Sequence, residues 1–185
     1  YKMKTLTELD YAMAAKFLNC EIAVIKAVKE VESAGSGFLP NGKPKILFEG
    51  HWFYKYTNGK FGSSNVSYPN WVRNYYNEDQ HERLDKAAKL DRESALKSAS
   101  WGMFQIMGGN YKKAGFNNLQ DFVNAMYKDE ASQLMAFCNF VKNSGLQDEL
   151  QHKDWVGFAF GYNGSGYRVN NYHTKLANAY KKYSK

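Results

Sequence analysis

Glu21 to Ser33 reads EIAVIKAVKEVES, and this stretch decides the fold class. At about 100° per residue, Val24, Ile25, Val28 and Val31 fall on one stripe of an α-helix. Glu32 follows Val28 by four residues and Ile25 by seven, which places it on the same apolar stripe. Glu30 follows Lys26 by four and lies off the stripe, where a surface ion pair accounts for it. Gly35, Gly37 and Pro40 end the helix. A carboxyl on an apolar face at a helix C-terminus is costly to ionise. Desolvation and the negative end of the helix dipole both favour its protonated form. That is the environment a general acid needs near neutral pH. The opposing reading is a frayed helix end with Glu32 pointing to water, and spacing alone leaves both open.

Outward from this helix, the chain reads as mostly α. Residues 6–18 show helical spacing at Leu6, Leu9, Met13 and Leu18, with Thr5 or Thr7 as the cap. On the other side, Asn41-Gly42 signals a turn, and Lys45 to Phe48 (KILF) reads as a short strand. Residues 54–80 are rich in Tyr, Asn, Gly and Ser and read as a long irregular loop with one helical turn at most. Helices are then expected over 81–90, with 91–98 continuing or restarting, and over 118–127, 130–142, 154–162 and 172–183. Trp101 to Met107 reads as a short apolar segment ended by Gly108-Gly109. No repeat or linker divides the chain, so residues 1–185 are expected to form one mostly α domain with one small β element.

The bulk properties narrow the function classes. A hydrophobic fraction of 44% suits a globular chain and is too high for disorder. The net charge of +7 attracts polyanions, among them nucleic acid, anionic lipid and an anionic cell wall. Lys175, Lys181, Lys182 and Lys185 gather at the C-terminus, where a basic helix end suits the dipole. Two cysteines, Cys20 and Cys138, make neither a disulfide framework nor a metal site and read as small reduced hydrophobes. His51, His81, His152 and His173 are scattered and lack zinc-ligand spacing, so no metal and no cofactor is expected. No apolar run is long enough for a membrane-spanning helix, and no signal-peptide pattern is visible.

Five segments in order carry a family resemblance. They are Ala27 to Ser33 (AVKEVES), Gly37 to Pro40 (GFLP), Lys43 to Glu49 (KPKILFE), Ser100 to Gly108 (SWGMFQIMG) and Gly161 to Gly164 (GYNG). Glu32-Ser33 closing an apolar helix resembles the catalytic Glu-Ser of goose-type lysozymes and lytic transglycosylases. More closely, the chain resembles the phage endolysin N-acetylmuramidase domain over essentially its whole length. That resemblance implies a lysozyme-like fold and hydrolysis of the β-1,4 bond between N-acetylmuramic acid and N-acetylglucosamine. It implies Glu32 as the group that protonates the glycosidic oxygen and Ser33 as part of the substrate site. It places Gln105 along the groove, and Tyr162 and Asn163 beside Glu32. An inverting hydrolase also needs a base, with the two carboxyls roughly 6.5–9.5 Å apart. Glu49 is the candidate, in the family's Phe-Glu-x-His segment; its alternative is a structural carboxylate paired with His51 or an Arg. His51 is expected to orient Glu49 or the sugar. The chain departs from the family at Gly50 and Trp52, where a basic and an aliphatic residue are expected.

Two other functions compete. A lytic transglycosylase would use Glu32 for the same protonation but close a 1,6-anhydro ring, with no second carboxylate. A non-enzymatic basic module would bind glycan or nucleic acid through lysines and tyrosines. Against the module, the lysines form no single tract and no nucleic-acid-binding motif is present. The expected partners are therefore peptidoglycan glycan strands and not nucleic acid, with peripheral contact to anionic outer membrane or wall polymers through the charge. A monomer is expected. The resemblance implies accumulation in the host bacterial cytoplasm before lysis, then action in the periplasm and cell wall.

Overall fold

Thr7 fixes where the first helix starts. Its hydroxyl accepts the Asp10 N–H while the Asp10 carboxylate accepts the Thr7 N–H at 2.8 Å, so α1 (Glu8–Leu18) opens on a capping box. The inward face differs from the one expected. Leu9 and Met13 are 67% and 57% exposed, whereas Ala14, Ala15 and Leu18 are buried, with Tyr11 packed beside them. Of the expected stripe, Leu18 is fully buried and Leu6 packs against the core, so the face is rotated rather than replaced.

The computed structural model describes residues 4–185. Next comes α2 (Ile22–Glu32), which buries Val24, Ile25 and Val28 and half-buries Val31 as the stripe predicts, and buries Ala27 as well. The ion pair predicted within this helix is replaced by two cross-helix pairs. Lys26 Nζ reaches Glu8 at 2.8 Å, and Glu30 accepts from Lys182 Nζ at 2.7 Å and from the Tyr183 hydroxyl at 2.8 Å. The cause is packing on both sides of α2: α1 offers Glu8 to Lys26, and the last helix, α10 (Tyr172–Tyr183), lies along α2 and offers Lys182 and Tyr183 to Glu30.

The small β element is a three-stranded antiparallel sheet: β1 (Ile46–Phe48), β2 (Ala99–Trp101) and β3 (Ile106–Met107), in that order. The segment read as merely apolar, Trp101 to Met107, is thus a hairpin. Gly102 at φ +75° and Gln105 at φ +51° make its turn. In the register, Ile46 faces Trp101, Phe48 faces Ala99, and Trp101 faces Ile106. These residues are buried on the inner face. By the alternation of side chains, Leu47, Ser100 and Met107 form the outer face, and Lys45 and Glu49 extend that row at the two ends of β1.

After β1 the chain enters α3 (Gly50–Tyr56), a helix not foreseen before the irregular stretch of residues 57–79. It opens on glycine and has no side-chain cap, so local signals are weak; burial of Phe53 anchors it. Gly50 is required for space, because a Cβ there would lie 2.3 Å from Cε1 of Tyr68. The Tyr68 hydroxyl in turn accepts the Gly50 N–H at 3.1 Å. Glycine at position 50 thus lets an aromatic ring close over the start of α3.

The chain then restarts at Asp91, between α4 (Gln80–Leu90) and α5 (Arg92–Lys97). Asp91 leaves helical geometry at φ −157° and its side chain caps the Ser94 N–H. Arg83 on α4 is buried, and its guanidinium is shared among the carbonyls of Phe48 and Asn65, the Gln80 amide oxygen and the Tyr68 hydroxyl. It ties α4 to the end of β1.

The remaining helices are α6 (Leu119–Lys128), α7 (Glu130–Asn143), α8 (Gln147–Gln151) and α9 (Trp155–Asn163). Asn118, Asp129 and Asp154 cap α6, α7 and α9, while the short α8 was not foreseen. One polar residue of α7 organises the region around the sheet. Gln133 is 1% exposed; its Oε1 accepts the Met103 N–H at 2.8 Å, and its Nε2 donates to Met126 O at 2.9 Å and Gly37 O at 3.3 Å. The β2–β3 turn and the segment leaving α2 therefore share one buried amide.

Candidate active site

Glu32 is the last residue of α2, and Ser33 turns the chain into extended geometry at φ −88°, ψ 156°. The next residue fastens this end to the sheet: Ala34 N–H donates to Met103 O at 2.8 Å, and Lys45 Nζ donates to Ala34 O at 2.7 Å. Asn163 is the last residue of α9, released by Gly164 at φ +79°. Its Nδ2 donates to Glu32 Oε1 at 3.0 Å. Two helix C-termini therefore converge on one half-buried carboxyl.

The electrostatics follow from that placement. Burial raises the Glu32 carboxyl above its ordinary value of 4.5, and the hydrogen bond from Asn163 opposes the rise. Burial also raises the Tyr162 hydroxyl, and the negative charge of Glu32 adds to it. The Tyr162 ring is wedged, stacked on Phe158 at 5.6 Å and edge-on to Phe137 at 5.4 Å. So the spacing-based reading of Glu32 as a desolvated carboxyl holds over the frayed end, and Tyr162 and Asn163 stand beside it.

Gln105 and Ser33 are placed differently. The Gln105 amide nitrogen donates to Gly102 O at 2.8 Å and to Lys45 O at 3.3 Å, which fixes the hairpin turn and leaves its amide oxygen for a ligand. The Ser33 hydroxyl accepts the Gly35 N–H at 3.4 Å. It also lines a hollow of about 380 Å³ shared with Glu8, Tyr11, Lys29 and Tyr183, which Glu32 does not line.

Glu49 sits at the far end of β1. Lys45, Leu47 and Glu49 share the outer sheet face, so Glu49 lies roughly 13 Å of extended chain beyond the residue tied to the end of α2. The residue is 9% exposed. Oε1 accepts the Tyr76 hydroxyl at 2.7 Å, and that hydroxyl accepts the Trp71 indole N–H at 2.7 Å. Oε2 lies 3.3 Å from His51 Nδ1, near enough for an ion pair but not aligned as a hydrogen bond. The expected Glu49–His51 pairing is thus present as a contact, and the expected arginine alternative is not: Arg83 spends its donors on other oxygens. Sequence reasoning missed Tyr76 and Trp71, which lie in the irregular stretch with no periodic signal. Next to His51 a second hollow, of about 420 Å³, is lined by Trp52, Tyr54, Lys55, Asn58 and Pro69.

A half-buried carboxyl whose protonated form burial favours, oriented by an asparagine amide, is chemically suited to give up a proton. The family model of N-acetylmuramidase matches residues 21–184, which include all of these residues. The chain belongs to the N-acetylmuramidase family. Muramidases degrade peptidoglycan, so this is a peptidoglycan-degrading enzyme, and its phage endolysin relationship is borne out by structure. The crystal structure of Burkholderia AP3 phage endolysin matches with a TM-score of 0.90 and 36% identity, over 99% of this chain and 72% of that one. No match is found among curated proteins. The lysozyme-like, mostly α fold expected from the sequence is the one observed.

Proposed function

We propose that this muramidase hydrolyses the β-1,4 bond between N-acetylmuramic acid and N-acetylglucosamine, with lysozyme activity. The observation that carries the proposal is the half-buried Glu32, its protonated form favoured by burial and its carboxyl held by Asn163. Glu32 gives its proton to the glycosidic oxygen as the bond from the sugar C1 to that oxygen breaks. A water attacks C1, and Glu49 takes the proton that the water gives up. Gln105 offers its amide oxygen to the sugar, and Tyr162 backs the acid. The net charge of +7 draws the enzyme, as a monomer, to anionic wall polymers after it leaves the host cytoplasm.

A lytic transglycosylase is the second reading, favoured by one observation: Glu49 is closed in by Tyr76 and His51 as a structural carboxylate would be. Mass analysis of the products of purified peptidoglycan separates the two. Reducing muramic ends, together with loss of activity in Glu49→Gln, support hydrolysis with Glu49 as base. Anhydro ends, with Glu49→Gln fully active, support the transglycosylase.

A further inference from the structure

Trp71, Tyr76 and Glu49 form a directed chain of hydrogen bonds that no catalytic role has yet absorbed. The indole can only donate, so the Tyr76 oxygen must accept from it at 2.7 Å. With that lone pair taken, the remaining hydroxyl hydrogen is steered to Glu49 Oε1, also at 2.7 Å. Burial and the adjacent carboxylate push the Tyr76 hydroxyl up to about 12, so it keeps its proton and remains a donor throughout the working range. The chain also polarises along its length, which strengthens its last bond.

The two oxygens of Glu49 are therefore not equivalent. Oε1 is committed to Tyr76. Oε2 is buried and makes no hydrogen bond among the described residues, and neither does His51 Nδ1, 3.3 Å away. Buried polar atoms of this kind call for a partner, and two facing ones can share one small polar molecule. We propose that Tyr76, oriented by Trp71, is the positioning residue of Glu49: it anchors Oε1 and reserves Oε2, opposite His51, as the oxygen that takes the proton of the attacking water. This rests on the reading of Glu49 as the base. Trp71 is 55% exposed, so the chain begins at the surface and ends at a buried reacting atom. It gives a stretch of irregular backbone the task of fixing a carboxylate rotamer.

The test measures kcat and KM on soluble peptidoglycan oligomers for Tyr76→Phe, Trp71→Phe, Glu49→Gln and the double variant Tyr76→Phe/Glu49→Gln, with Tm as a folding control. Tyr76→Phe keeps the ring and removes the anchor, so kcat falls about tenfold or more while KM changes less than about twofold. Trp71→Phe keeps the tyrosine but frees its hydroxyl rotor, and lowers kcat about threefold at unchanged KM. In the Glu49→Gln background Tyr76→Phe costs nothing further, because the residue it positions is gone. A merely structural tyrosine would lower Tm and would cost as much in both backgrounds. Wild-type kcat in Tyr76→Phe with Glu49→Gln reduced to a small residual rate overturns the positioning role and leaves Glu49 as base. Full activity in Glu49→Gln overturns both. Should Tyr76→Phe fail to fold, Trp71→Phe carries the test alone, and wild-type kcat there overturns the proposal.

Discussion

Asn163 Nδ2 stands 3.0 Å from Glu32 Oε1 and joins the C-terminal residues of α9 and α2 across 131 positions of sequence. The bond does two opposing things. It orients the carboxyl, and by stabilising the charged form it restrains a rise that burial drives. A general acid works protonated, so its rate falls as pH rises through its pKa.

Removing Asn163 should therefore move the basic limb of the pH–rate profile to higher pH, because the lowering influence on Glu32 is lost. Loss of orientation should at the same time lower kcat about tenfold or more. A pH–rate profile of Asn163→Ala checks this. A basic limb that stays in place or moves down contradicts the assignment.

Gln133 should be a determinant of stability as well as of site geometry. Its buried amide bonds Met103 N–H, Met126 O and Gly37 O, and a leucine of similar size would take that partner from the first two and leave Gly37 O with the Lys45 N–H alone. Gln133→Leu should cost about 2–4 kcal/mol in denaturant unfolding. A cost under about 0.5 kcal/mol would mean that the turn and the segment after α2 are held by other contacts.

Gly50→Ala should destabilise by about 1–3 kcal/mol, since the added methyl meets the Tyr68 ring and disturbs the hydroxyl shared with Arg83. Unfolding by guanidinium measures it. An unchanged midpoint would show that Tyr68 can move aside freely.

These residues also show how far the sequence could be read. The α2 stripe and its inward Glu32 were legible because they follow helical periodicity within one segment. So were α10 and the capped starts of α6, α7 and α9, whose side-chain signals are local. The inward face of α1 was legible only in part: Leu6 and Leu18 pack inward as expected, while Ala14 and Ala15 are buried in place of Leu9 and Met13. The β2–β3 hairpin was hidden by strands of three and two residues joined at Gly102 and Gln105, too short for alternation to register. Neither α3 nor Tyr76 could be read, since both are fixed by contacts distant in sequence: Tyr68 over Gly50, and Tyr76 on Glu49. The Glu30 pairing failed for the same reason, its partner coming from α10.

The two thiols should be inert in the folded enzyme. Burial pushes Cys20 up to about 11 and Cys138 up to about 12, so almost no thiolate is present at pH 7. Neither should be alkylated by iodoacetamide in native buffer, and both should react in denaturant, as counted by mass spectrometry. Rapid labelling of Cys138 in the native state would reveal local opening around α7.

The central claim is that Glu32 is the proton donor, and Glu32→Gln tests it most directly. The amide keeps the size and can still accept from Asn163 but cannot give up a proton. A carboxyl raised by burial contributes stability that is full below its ordinary value of 4.5 and is lost as pH rises through its folded value. The variant should therefore be at least as stable as wild type at neutral pH. The measurement is turbidity loss of purified peptidoglycan at pH 7, alongside Tm. A folded Glu32→Gln that loses nearly all activity is the predicted result; a folded variant that clears the wall at the wild-type rate would contradict the account.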